Sequence, residues 1–263
     1  MAGSIPRSVE FAGGTDVGRV RSQNEDSYQI DRDLGLILVA DGMGGHIGGD
    51  IASRTAIEAV NDYILEYEPP EEVLASSDLD LIDSSLEIAR TAVSRANQRI
   101  VGLNRERGLL EGRGMGTTIV GLWLPDGLSP DGLSRGVVFH VGDSRLYRFR
   151  DGRLDQITRD HSLYQAWVDA GRSGDPPNRN IIMRALGIVE EIESDISVQR
   201  ILAGDIFLLC SDGLNGMVPD DTIIDILDEV DETGIDRAWR QLIQEANDHG
   251  GKDNVTVVLA RFG

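Results

Sequence analysis

Five acidic motifs stand at the borders of apolar segments. They are Asn24-Glu25-Asp26, Asp41-Gly42-Met43-Gly44-Gly45-His46, Gly142-Asp143-Ser144-Arg145, Ser211-Asp212-Gly213 and Lys252-Asp253-Asn254. Asp41, Asp143 and Asp212 follow the apolar runs 36–40, 137–141 and 206–210, whereas Asp26 and Asp253 precede the strand-like runs 27–30 and 255–260. In an antiparallel sheet the end of one strand lies beside the start of its neighbour, so the pattern predicts carboxylates gathered at one edge of one sheet. Like charges at short range repel, and divalent metal is the simplest compensation. Carboxylate and carbonyl oxygens suit hard cations such as Mg2+ and Mn2+. Zinc fits poorly, because there is one cysteine and the histidines (His46, His140, His161, His249) are scattered. Two ions about 3.5–4 Å apart can share a carboxylate and lower the pKa of a bridging water. Asp41 is placed to bridge and the Gly42 carbonyl to complete one coordination shell, since a glycine lets the backbone approach an ion closely.

A single Asp-Gly pair usually marks a turn; the joint placement at strand ends carries the reading. Arg21, four residues before Glu25, offers a fork that could hold a phosphoryl group bidentately; the plainer alternative is a surface arginine paired with a carboxylate. The glycine-rich stretch 41–49 contains no G-x-x-x-x-G-K-[ST], and Ile47 stands where G-x-G-x-x-G needs its last glycine, so it is not a nucleotide loop. Cys210 ends an apolar run and has Gly216, not arginine, six residues on, so it reads as a core residue. His46 has two readings: an acid that protonates the leaving alkoxide, or a structural histidine near a helix start.

These residues must be held by a scaffold the pattern partly reveals. Residues 48–67 read as an amphipathic helix with Ile51, Ala52, Ala56, Ala59, Val60, Tyr63, Ile64 and Tyr67 on one face, ended by Pro69-Pro70. An acidic loop to about residue 83 and a second helix over 84–107 follow. Strands are expected at 117–124, 137–141 and 146–150, with turns at 125–127 and 130–132 and a hairpin at Asp151-Gly152. Residues 158–193 interrupt this pattern, helical over 160–170 and irregular over 174–178, and read as a flap or as an ordinary surface insertion. Short helices over 219–230 and 236–247 precede the last strand, 255–260. Helices and strands come in blocks, which predicts an α+β fold with antiparallel sheets.

At 263 residues and 40% hydrophobic content the chain can build a large core. The net charge of −20 argues against nucleic acid or anionic membrane as a partner. No apolar run approaches the ~20 residues of a membrane span, and residues 1–10 show no signal pattern. One cysteine rules out an internal disulfide and suits a reducing compartment. The expectation is a soluble cytoplasmic protein.

Taken in order, Arg21-x-x-Asn24-Glu25-Asp26, Asp41-Gly42-Met43-Gly44-Gly45-His46, Gly116-Thr117-Thr118, Val141-Gly142-Asp143-Ser144-Arg145, Ser211-Asp212-Gly213 and Lys252-Asp253-Asn254 resemble the bacterial metal-dependent protein phosphatases, the PPM or type 2C family, over residues 11–262. The resemblance implies a four-layer α-β-β-α sandwich, two antiparallel sheets flanked by helix pairs, as one catalytic domain over 1–263 with a flap at about 158–193. It implies two Mn2+ or Mg2+ ions per active site, hydrolysis of phosphoserine and phosphothreonine in proteins, and opposition to a Hanks-type serine/threonine kinase; the chain is expected to act as a monomer. By position Asp41 bridges the ions, Gly42 supplies a carbonyl and Glu25 contacts one ion directly or through water. Asp212 and Asp253 bind the other, Asp26 acts through water or as support, and Asp143 with Asp212 forms a third, weaker position. Arg21 binds the phosphate and Asn254 is a supporting residue. Animal members carry a histidine two residues after the bridging aspartate as the proposed general acid; Met43 stands there, as in bacterial relatives, which leaves the acid between His46 and a metal-bound water. Two other classes compete. A phosphoprotein-binding pseudophosphatase would be expected to lack metal aspartates, yet Asp41, Asp212 and Asp253 are present; a cation-stabilised scaffold leaves Arg21 unexplained.

Overall fold

The computed structural model describes residues 8–44, 48–67, 78–109, 112–125 and 134–263. In chain order the elements are β1 (Val9–Asp16), β2 (Asp26–Asp31), β3 (Leu36–Met43), α1 (Gly49–Glu66), α2 (Asp78–Glu106), β4 (Gly116–Thr117), β5 (Ile119–Trp123), β6 (Ser134–Val141), β7 (Arg145–Arg150) and β8 (Arg153–Gln156). There follow α3 (Leu163–Asp169), β9 (Asp195–Ile201), β10 (Ile206–Cys210), α4 (Asp212–Asn215), α5 (Asp220–Asp228), α6 (Val230–Thr233), α7 (Ile235–Asp248) and β11 (Val255–Phe262). One sheet has the order β1-β11-β10-β7-β8 and the other β2-β3-β5-β6-β9, with β4 paired to β3; the named pairings are all antiparallel.

Alternation along β3 shows how the layers stack. Successive side chains of a strand point to opposite faces. Ile37 and Val39 join Val120, Leu146, Phe207, Leu209 and Val258 in a core shared by both sheets. Leu36, Leu38 and Ala40 face the other way, onto Ala52, Ala56 and Val60 of α1 and Val93, Ala96 and Ile100 of α2. The outer face of the first sheet, with Leu208, Cys210, Val257 and Leu259, packs on Leu242 and Ala246 of α7. Both faces of the central strands are therefore buried, which is why they read as continuous apolar runs rather than as alternation. The result is the α-β-β-α sandwich with antiparallel sheets.

Several local expectations change. The helix expected over 84–107 starts at Asp78, so part of the presumed acidic loop forms its first turns. The strand expected over 117–124 breaks at Thr118 into β4 and β5. Strands β1 and β9 were not anticipated, whereas β8 completes the hairpin expected at Asp151-Gly152. Pro69-Pro70, the turns around 126–132 and His46 lie outside the described residues.

Between β8 and β9 the chain leaves the sheets. Ser162 caps α3 by accepting a bond from the Gln165 amide, and an isolated bridge pairs Ser162 with Ile182. The far end of this excursion is clamped to α2 by two buried asparagines one heptad apart, hence on one helix face. Asn97 Nδ2 donates to the Val189 and Glu190 carbonyls while its Oδ1 accepts from the Gly187 amide. Asn104 Nδ2 donates to the Gly187 and Met115 carbonyls, and its Oδ1 accepts from Met115 N–H.

Candidate metal centre

The acidic motifs converge, but not at the edge of one sheet. Asp26 and Asp41 belong to the β2–β3 sheet, whereas Asp212 and Asp253 adjoin β10 and β11 of the other. The carboxylates face one another across the seam of the sandwich, because both sheets bring those strand ends to the same end of the molecule. Asp143 lies in the turn by which the chain passes from β6 in one sheet to β7 in the other. Asp41 lies inside β3, which continues to Met43, rather than just beyond its end.

Asp41 is fixed through its backbone. Its N–H donates to Thr118 Oγ1 at 2.9 Å, and its carbonyl accepts from Thr118 N–H and Thr117 Oγ1, both at 2.9 Å. Thr118 Oγ1 also lies 2.6 Å from Ser144 Oγ, tying this support to the Asp143 turn. Gly142 adopts φ +107, and a Cβ there would lie 2.6 Å from the Thr118 methyl, so only glycine admits this turn. Gly42 packs equally close: a Cβ would meet the Gly49 carbonyl oxygen at 2.2 Å and the Glu25 carbonyl oxygen at 2.5 Å.

Glu25 and Arg21 sit on the loop before β2. Asn254 fastens that loop: its Oδ1 accepts from Glu25 N–H at 2.8 Å, and its Nδ2 donates to the Val17 and Gln23 carbonyls at 3.0 and 2.9 Å. Glu25 Oε1 is close enough to α1 that a Cβ on Gly49 would come within 2.7 Å of it, a favourable place for an anion at a helix N-terminus. Arg21 is not an open fork here, since its NH2 donates to Asp253 Oδ2 at 2.7 Å.

The electrostatics suit a bound cation. Asp26 Oδ2 accepts from Ser211 Oγ and Thr256 Oγ1, each at 2.7 Å, both from the opposite sheet. Burial nevertheless pushes the Asp26 carboxyl up to about 7, with Asp212 and Asp253 adding repulsion. Burial raises Asp41 well above the usual carboxylate range, and Asp26, Asp212, Asp143 and Asp253 raise it further. Burial, then Asp212 and Asp160, bring Asp143 up to about 7. Asp212 is raised by burial and by Asp253. Glu25 Oε1, Asp26 Oδ1 and Asp143 Oδ1 are buried without a hydrogen-bond partner among the described residues. Buried polar oxygens are otherwise almost always paired. A repelling, all-oxygen set with orphaned atoms fits hard divalent cations, and Glu25, Asp26, Asp41, Asp143, Asp212 and Asp253 are the side chains that could hold them.

Ser211 and Thr256 had no role in the sequence reading. A hydroxyl at a strand end carries no distinctive signal; only the pairing of the two sheets shows that both serve Asp26.

Residues 14–260 match the family model described as protein phosphatase 2C. The chain is 38% identical over 259 residues to the serine/threonine protein phosphatase PstP of Mycobacterium tuberculosis, covering 96% of this chain but 45% of PstP, so it spans less than half of that relative. It is 34% identical over 253 residues to the serine/threonine phosphatase stp of Listeria welshimeri, covering 93% of this chain and 92% of that one. The solved catalytic domain of PstP in complex with two manganese ions shares the fold with a TM-score of 0.78 at 36% identity, over 96% of this chain and 97% of that chain. On this combined sequence and structural agreement, the chain belongs to the protein phosphatase 2C family.

Proposed function

We propose that the protein is a metal-dependent phosphatase that hydrolyses phosphoserine and phosphothreonine in proteins. The observation that carries this reading is the set of buried and half-buried, mutually repelling carboxylates, three of them with an unpartnered buried oxygen, at the seam of the two sheets. Asp41 would be shared between two ions, with the Gly42 carbonyl and Glu25 holding one and Asp212 and Asp253 the other. Asp143 with Asp212 offers a third, weaker position, and Asp26 supports the centre while held by Ser211 and Thr256. Two Mn2+ or Mg2+ ions, when bound, supply Lewis acidity toward the phosphoryl oxygens and make water a competent nucleophile near neutral pH.

The chain's own residues do the rest. Arg21 leaves Asp253 to grip the phosphate, an exchange of one charge-assisted bond for another. Asn254 holds the Arg21–Glu25 loop in register with β11. The excursion at about 158–193 acts as a flap of a single catalytic unit. Carboxylates at every position expected for a ligand disfavour a pseudophosphatase.

The chain acts as a monomer on phosphoproteins in the cytoplasm, against a cognate serine/threonine kinase. A single cysteine, which is buried, supports a reducing compartment, and the relatives named serine/threonine phosphatases support phosphoprotein substrates. Hydrolysis of p-nitrophenyl phosphate with Mn2+, and its loss on EDTA treatment, tests the reading; activity that survives exhaustive chelation would overturn it.

A further inference from the structure

Two cationic side chains line the cleft beside the carboxylates without a carboxylate partner among the described residues. A cavity of about 290 Å³ is lined by Asp143, Asp212 and Asp253 together with Tyr164, Arg179 and Lys252. Other arginines near it are occupied: Arg21 binds Asp253 at 2.7 Å, and Arg145 makes two bonds to Asp160 at 2.9 and 2.7 Å. Arg179 instead sits over the Tyr164 ring, 4.3 Å from guanidinium carbon to centroid, and donates to the Tyr164 hydroxyl at 2.9 Å. Its other N–H groups have no partner among the described residues. Tyr164 is itself positioned, since Ser162 caps the helix that carries it and the Trp167 ring packs 5.5 Å away. A guanidinium held by stacking loses less freedom when it binds an anion, and its planar fork suits carboxylate and phosphate alike. Lys252, the single lysine of the chain, adds a second positive charge to the same cleft.

We infer that Arg179, positioned by Tyr164, and Lys252 form an oxyanion subsite that selects phosphoproteins with a second anionic group close to the phosphoresidue. This rests on the phosphatase reading above. In a protein of net charge −20 an acidic substrate segment is repelled unless local positive charge receives it. Arg179 and Lys252 line the same cavity as Asp143, Asp212 and Asp253, so the second anion belongs to the phosphorylated segment itself. An acidic side chain and a second phosphoryl group share the required chemistry.

The test uses phosphothreonine peptides that differ at one flanking position: alanine, lysine, aspartate or phosphoserine. Turnover gives kcat/KM, and fluorescence anisotropy gives binding independently of turnover. The wild type is expected to favour the aspartate flank over alanine roughly five- to tenfold, between the range for exposed ion pairs and that for charge-assisted bonds. Arg179→Ala brings that ratio near one, Arg179→Lys restores part of it, and Arg179→Glu inverts it toward the lysine flank. A phosphoserine flank that exceeds aspartate by tenfold or more identifies a second phosphoryl group as the ligand; equal preference identifies a carboxylate. Turnover with no flank preference, or a preference that survives Arg179→Ala, overturns the subsite alone. Absence of turnover overturns the phosphatase reading, while the anisotropy ratios still decide the subsite.

Discussion

Asp26 and Asp41 stand directly opposite one another in the register of β2 and β3. Two carboxylates at a cross-strand pair destabilise a sheet, and here Asp26 is buried and Asp41 half-buried. The pair persists because Ser211 and Thr256 hold Asp26 from the other sheet, and because a divalent cation can neutralise what the protein cannot. Stability and function are therefore opposed at this point.

The first prediction concerns pH. Asp26 and Asp143 rise from 3.8 to about 7 in the metal-free protein. Between those values the folded state binds more protons than the unfolded state, so metal-free stability is greatest at low pH within this window and falls as pH rises through 7. Thermal unfolding in EDTA should show Tm decreasing from pH 5 to pH 8, and saturating Mn2+ should flatten or reverse the slope. A metal-free Tm that climbs over this range would contradict the assignment.

Asp41→Asn should remove repulsion and catalysis together. The metal-free variant is expected to melt roughly 2–6 °C higher at pH 8, on a scale of about 2–4 °C per kcal/mol for a domain of this size. Stabilisation by Mn2+ and phosphatase activity should both be lost. Retained turnover in the folded variant would refute the bridging role.

Arg21→Ala should lower kcat/KM toward a phosphopeptide roughly ten- to hundredfold, mainly through KM, since a lost charge-assisted contact costs ~1.5–3 kcal/mol. Because Arg21 also bonds Asp253, its removal takes a competing cation away from the centre, and apparent Mn2+ affinity should tighten. Weaker Mn2+ binding with unchanged KM would show that Arg21 orders the site rather than holding substrate.

His46→Ala distinguishes the two histidine readings. A nitrophenolate leaving group needs little protonation, whereas a serine alkoxide needs much. Equal loss on both substrates with weakened Mn2+ affinity is expected for a structural His46; loss confined to the phosphopeptide would identify the acid.

Asn104→Ala strips partners from the Met115 N–H and from the Met115 and Gly187 carbonyls. With each of these three orphaned groups costing ~1–3 kcal/mol, stability should fall by at least about 3 kcal/mol. Calorimetry and proteolysis within 163–185 would report it, and an unchanged melting curve would exclude the clamp.

The legible part of this structure is the part written in strong local contrasts. Asp41, Asp143 and Asp212 each follow an apolar run, so their placement near strand ends followed from pattern alone. Which sheet each belongs to did not, because β3 and β10 are buried on both faces and look alike. The strand β1 escaped notice because Gly13 and Gly14 interrupt it. A Cβ on Gly13 would lie 2.7 Å from the Val257 carbonyl oxygen, and one on Gly14 2.4 Å from the Trp239 ring, so both are glycine for reasons that exist only in the tertiary structure. Helix α2 began early because acidic residues near a helix N-terminus are favourable, a preference outweighed in the sequence reading by their loop-like composition.

The bridge that joins Ser162 to Ile182, with Leu163 N–H donating to the Ile181 carbonyl and Met183 N–H to the His161 carbonyl, closes the excursion at its neck. Residues 163–181 thus form a cassette whose two ends stay fixed whatever lies between them. Exchanging that cassette between relatives should transplant substrate preference while the hydrolytic machinery stays in place, which makes this neck a natural seam for recombination and for engineering.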